Sequence, residues 1–121
     1  MKVRGTDAIL YEVTDMDRSI SFYRDILGLK LEIHVPEMRY AEFDAPPTTL
    51  ALLVPEEPLK TGGASIWLAV EDIAQAVEEL RGKGVPITMD LTEYSICWHA
   101  AIADPDGNVV GLHQRKDGTF G

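Results

Sequence analysis

Apolar side chains alternate at Ile9, Tyr11 and Val13, the two-residue period of a strand with one buried face. Beyond Asp15 the period lengthens. Met16, Ile20 and Tyr23 recur at the three-to-four-residue spacing of a helix stripe. The same succession returns further on: Ile66, Leu68 and Val70 alternate, then Asp72, Ile73, Val77 and Leu80 follow as a helix. Seven pairs match at one offset of 57 positions, from Ile9 and Ile66 through Asp15 and Asp72 to Tyr23 and Leu80. A constant offset over so many positions marks an internal duplication, which has to be recognised before a fold is assigned. It predicts a single domain over 1–121 made of two equivalent modules, about 1–57 and 64–115, with a functional site between them.

The remaining pattern fills in each module. A strand over 6–13 leads to a helix over 17–27, with Asp15 as N-cap and Ile20, Tyr23 and Leu27 as its buried stripe. Gly28 stands where a left-handed C-cap is needed. Strands at 29–35, 39–44 and 48–54 follow, separated by Pro36 and by Asp44-Ala45-Pro46-Pro47. Pro55, Pro58, Gly62 and Gly63 punctuate a linker. The second module repeats the order with a strand at 64–70 and a helix at 73–82 stopped by Gly82 and Gly84. Its strands follow at 86–90, 95–103 and 108–114. Each half therefore reads β-α-β-β-β, an α+β class, and the tail from Lys116 to Gly121 reads as a loose polar end. Asp104-Pro105-Asp106-Gly107-Asn108 is turn chemistry: Pro105 presets φ, Asp104 bonds nearby backbone and Gly107 supplies positive φ. Its acidic residues lack the ligand spacing of a calcium loop.

Two segments in this order, Asp15-x-Asp17-Arg18-Ser19-Ile20-x-Phe22-Tyr23-x-x-x-Leu27-Gly28-Leu29 and Asp104-Pro105-Asp106-Gly107-Asn108, resemble the vicinal oxygen chelate superfamily. That group includes glyoxalase I, bleomycin-resistance proteins and extradiol dioxygenases. The resemblance covers nearly the whole chain. It implies two βαβββ modules forming a cupped half-barrel sheet, commonly in a homodimer. It further implies a divalent metal in the cup, held by His or Glu from the first and last strands of each module. Those positions fall here at Ala8, about Ala51, Ser65 and Gly111, none of them a competent ligand. The expectation is therefore no cofactor at the usual metal site.

Strand alternation then assigns the cup wall. With Ile9, Tyr11 and Val13 packed under a helix, Ala8, Leu10 and Glu12 face the cup; by the same rule Ser65, Trp67 and Ala69 do so in the second module. Val110 and Leu112 read as core, leaving Val109, Gly111 and His113 on the cup side. The partner strand is expected to bury Ile96, Trp98, Ala100 and Ile102 and to turn Cys97, His99 and Ala101 inward. Counting back from the Asp-Pro-Asp-Gly turn sets His99 nearly opposite His113. Trp67, Cys97, Glu12, His99 and His113, with Tyr94 at the mouth, are the candidate ligand-binding residues, and two imidazoles on an apolar wall suit binding or acid–base work. No catalytic residue is singled out. Cys97 and His99 have bland alternatives as packing and as a backbone hydrogen-bond partner. His34, beside Val35-Pro36, reads as a surface histidine.

Charge and cysteine content narrow the field. A net charge of −9 argues against nucleic-acid binding, which needs clustered Lys and Arg. Cys97 is the single cysteine, so no intrachain disulfide forms, which suits a reducing compartment. No signal-peptide pattern opens the chain and no apolar run reaches the ~20 residues of a membrane span, so a cytoplasmic protein is expected. Two readings stand: a metal-free, bleomycin-resistance-like protein that binds or sequesters a small, partly aromatic molecule, and a glyoxalase- or dioxygenase-like enzyme with a relocated metal or acid–base site at His99 and His113.

Overall fold

The computed structural model describes residues 2, 4, 7–57 and 65–119. The predicted linker residues Pro58, Gly62 and Gly63, the outer ends of the two predicted first strands at 6 and 64, and the last two residues of the tail, Phe120 and Gly121, lie outside the described residues. The chain divides into two compact units, Met1–Lys60 and Thr61–Gly121.

In the first unit, β1 (Ile9–Glu12) runs into α1 (Met16–Ile20), followed by β2 (Lys30–Val35), β3 (Tyr40–Ala45) and β4 (Thr48–Leu53). The sheet order is β1-β4-β3-β2, with β1 parallel to β4 and the other pairs antiparallel. The second unit comprises β5 (Ile66–Ala69), α2 (Ile73–Gly82), β6 (Ile87–Glu93), β7 (Cys97–Ala103) and β8 (Val109–Arg115), in the order β5-β8-β7-β6. The duplication read from the pattern is thus present as topology. Both helices start the same way, since Asp15 accepts a hydrogen bond from the Arg18 N–H and Asp72 one from the Gln75 N–H, each at 3.1 Å.

The first helix departs from the simple stripe. After Ile20 it widens into a π-helical segment, Ser21–Ile26, where the Leu27 N–H reaches back to the Phe22 carbonyl at 3.0 Å. Neighbouring Phe22 and Tyr23 are both buried, with edge-to-face rings 5.0 Å apart, and Leu27 is only half-buried. Gly28 takes φ 75°, the left-handed conformation predicted for it. The first unit's fully buried side chains include Tyr23, Val13, Phe43, Leu50 and Leu52, with the Tyr23 and Phe43 ring centres 5.8 Å apart.

In the second unit α2 buries Ile73, Val77 and Leu80 on one face. Under it Ala100, Ile102, Val110 and Leu112 form the core. Two expectations for this unit are corrected. Ile96 is 75% exposed, because β7 begins only at Cys97 and Ile96 sits in the preceding bend, its carbonyl taken by the Lys116 N–H. Trp98 is half-buried rather than core: it pairs with Gln114 beside the first turn of α2, which covers it incompletely, and Lys116 places its ammonium 5.0 Å from the ring centre. The described part of the tail is also ordered into a turn, with Gly118 at φ 79° and the Thr119 N–H donating to Asp117 at 2.9 Å.

Candidate functional site

The site is built on three neighbouring strands of the second unit. β7 and β8 pair in a register that sets His99 opposite His113 and Ala101 opposite Gly111. β5 runs parallel to β8 on its other side, with Trp67 opposite Gly111 and Ala69 opposite His113. Side chains two apart on a strand share a face. Cys97, His99, Gly111, His113, Trp67 and Ala69 therefore lie together on the face away from the Ala100, Ile102 and Leu112 core.

Contacts within this group are close. The Cys97 sulfur lies 3.4 Å from His99 Nε2, and Cys97 itself is buried. The His99 ring is surrounded: centroids lie at 4.7 Å for His113, 4.9 Å for Tyr94 and 5.0 Å for Trp67. Tyr94 reaches this position from the bend before β7, which is closed by its N–H donating to the Cys97 carbonyl at 2.8 Å. Of the six candidates read from the sequence, the structure brings together Trp67, Tyr94, Cys97, His99 and His113. Glu12 is on β1 in the other unit, opposite Leu53 and partly buried. His34 is exposed on β2.

Gly111 explains how Trp67 lies. A Cβ at this position would overlap the six-membered ring of the Trp67 indole, so only glycine lets the indole rest on the strand backbone. Indole Nε1 donates to the Ser65 hydroxyl at 3.2 Å, and the side chain stays 45% exposed, leaving an aromatic surface open to solvent. The inherited metal positions do not fit a metal. Ala51 is buried opposite Leu10, Gly111 lies beneath an indole, the Ser65 hydroxyl is taken by Trp67, and Ala8 carries no donor.

A cavity of about 620 Å³ opens beside Trp67 and His113, bounded further by Glu71, Gln114, Arg115 and Thr119. Glu71, Gln114, Arg115 and Thr119 were missed from the sequence. The Asp117-Gly118 pair was the available signal, since Asp-Gly marks a turn that folds a chain end back. Gln114 also bonds the first N–H of α2 through its side-chain oxygen, at 2.8 Å from the Ile73 nitrogen.

Burial, and secondarily the neighbouring His99 and Arg115, lowers the pKa of His113 from its ordinary 6.5. The unfolded chain then takes up this proton before the folded one does. Stability is expected to hold above pH 6.5 and to fall as the pH drops from there through the folded pKa. NMR titration of the metal-free protein should give His113 a midpoint below 6.5, moving back up in His99→Gln. A midpoint at or above 6.5 in the unsubstituted protein would contradict this electrostatic account.

A family model described as the Glyoxalase/Bleomycin resistance protein/Dioxygenase superfamily matches residues 5–112. Lactoylglutathione lyase of Escherichia coli O157:H7 is 30% identical over 122 residues, covering 89% of this chain and 90% of its own. The uncharacterized protein YraH of Bacillus subtilis (strain 168) is also 30% identical, over 118 residues that cover 84% and 91%. Against lactoylglutathione lyase GLX1 of Arabidopsis thaliana, at 28% identity over 88% of this chain, the match spans only 43% of the plant protein. Among solved structures, a putative glyoxalase family protein from Bacillus anthracis superposes with a TM-score of 0.82 at 16% identity, covering 96% of this chain and 98% of its own. The antibiotic-binding protein TnmS3 from Streptomyces sp. CB03234 gives 0.81 at 22% identity, covering 96% and 99%. No helix among the described residues is long and apolar enough to cross a membrane.

Proposed function

Because the chain belongs to the glyoxalase/bleomycin resistance protein/dioxygenase superfamily, we propose that it is a binding member, holding a small, partly aromatic molecule against the wall of Trp67, Tyr94, His99 and His113. The observation that carries this reading is the Trp67 indole resting over Gly111, where the superfamily resemblance implies a metal ligand. A position that would supply chemistry supplies a stacking surface instead. The adjoining 620 Å³ is within the ~300–1,000 Å³ usual for small-molecule sites. TnmS3, with the same fold, is an antibiotic-binding protein. The acidic charge favours a cationic ligand. In this reading the two modules make one domain, the protein is a cytoplasmic homodimer, and light scattering on the purified chain gives twice the monomer mass.

Titrating the protein with bleomycin and a panel of planar aromatic antibiotics, read by tryptophan fluorescence, tests the assignment. One-to-one binding is expected for at least one of them. Trp67→Ala should weaken it about tenfold, the ~1.4 kcal/mol of one well-stacked ring. Absence of binding across the panel, or formation or cleavage of lactoylglutathione by the purified protein, overturns it. That last outcome is the second reading, an enzyme with a relocated site, which the 30% identity to lactoylglutathione lyase over 90% of its length supports.

A further inference from the structure

Cys97, His99 and His113 have a chemistry that ligand stacking does not use. Their three donor atoms lie within 4.8 Å of one another, and they are the group of this kind found among the described residues. We propose that they bind one first-row cation with affinity for thiolate and imidazole, Zn²⁺ in the first instance, leaving its fourth position open. This site is separate from the inherited one: its ligands come from the hairpin β7–β8 alone and include a sulfur.

Backbone geometry makes the donor set convergent before any metal arrives. Cys97 and His99 are two apart on β7 and so share a face, and the register sets His113 directly across from His99 on β8. Tetrahedral zinc, with bonds of about 2.0–2.3 Å to nitrogen and sulfur, needs donors roughly 3.3–3.6 Å apart. The Cys97–His99 pair already stands at 3.4 Å, and the widest separation in the trio needs only a modest turn of a ring. Trp67 and Tyr94 pack on the His99 ring from 5.0 and 4.9 Å and hold it near this orientation. A thiolate and two imidazoles select zinc, cobalt or copper over magnesium and calcium, which take oxygen ligands. On binding, the Cys97 thiol loses its proton to solvent and a sulfur–metal bond forms, with no change of oxidation state. The cavity beside His113 and Trp67 is the route to the open position.

The probe is Co²⁺ added to the metal-free full chain. One equivalent is expected to bind, with a thiolate-to-cobalt charge-transfer band and the intense visible absorption of four-coordinate cobalt, both bleached by Zn²⁺. Cys97→Ser should abolish the charge-transfer band, and His113→Gln should weaken binding at least tenfold. Cobalt that binds without that band, or equally well to both variants, overturns the proposal and places the ion on surface carboxylates. Should Cys97→Ser fail to fold, alkylation of Cys97 in the unsubstituted protein decides: Zn²⁺ should slow iodoacetamide at least tenfold, and an unchanged rate overturns the site. The cobalt readout is independent of the stacking reading: the charge-transfer band is expected in the unsubstituted protein whatever the outcome of the aromatic panel.

Discussion

Replacing Asp104 by alanine is expected to destabilise the protein by about 3 kcal/mol, the cost of leaving buried donors without an acceptor. Asp104 and Asn108 are each only 4% exposed. One Asp104 carboxylate oxygen accepts the N–H groups of Asp106 and Asn108 at 2.9 and 2.7 Å, and the other accepts the Asn108 side-chain amide at 2.9 Å. Alanine removes all of these, and water has little access to replace them. The same turn is closed by backbone bonds between Asp104 and Asn108 and between Gly107 and Asp104, with Gly107 at φ 85°. Thermal unfolding followed by circular dichroism should shift down by roughly 10 °C for a chain of this size. A shift under about 2 °C would show that the carboxylate contributes little. The consequence reaches the site, because this turn sets the register that pairs His99 with His113, and a one-residue slip would send one imidazole to the opposite face.

Phe43→Ala carries an expected loss of about 3–5 kcal/mol, the largest of the substitutions considered. Phe43 is fully buried on β3, opposite Leu31 and Leu50, and its ring centre lies 5.8 Å from that of Tyr23. Truncation removes apolar contact area and leaves a cavity that strands on either side, fixed by their ladders, cannot close. Urea unfolding should show a lower midpoint with an unchanged slope, while Phe43→Leu, which keeps most of the volume, should lose under ~1.5 kcal/mol. A cost for alanine no greater than that for leucine would mean that the sheet relaxes into the gap.

Much of the architecture was legible in local pattern. Period changes at Asp15 and Asp72 located both helix starts because a short carboxylate side chain at an N-cap bonds the helix backbone only two or three residues on. The Asp104–Asn108 turn placed His99 across from His113 because a tight turn converts sequence distance into strand register. Where local pattern misled, a long-range or non-repeating feature was responsible. Ile96 looked like the next member of an alternating strand, yet the bend closed by Tyr94 and Cys97 ends the pleat before it. Trp98 keeps the right parity for the core but lies beside the first turn of α2. The π-helical widening after Ile20 has no signature in a stripe that fits an ordinary helix equally well.

Alternation and the offset of 57 residues were enough to establish two βαβββ modules, and residue identity was enough to show Ala8, Ala51, Ser65 and Gly111 unable to supply the implied ligands. Both depend on properties that each short stretch carries within itself. The placement of the Trp67 indole over Gly111, and the 3.4 Å approach of Cys97 to His99, came only with the folded chain. The first requires parallel pairing of strands more than 40 residues apart. The second depends on rotamers chosen by neighbours that converge only when β5, β7 and β8 lie side by side.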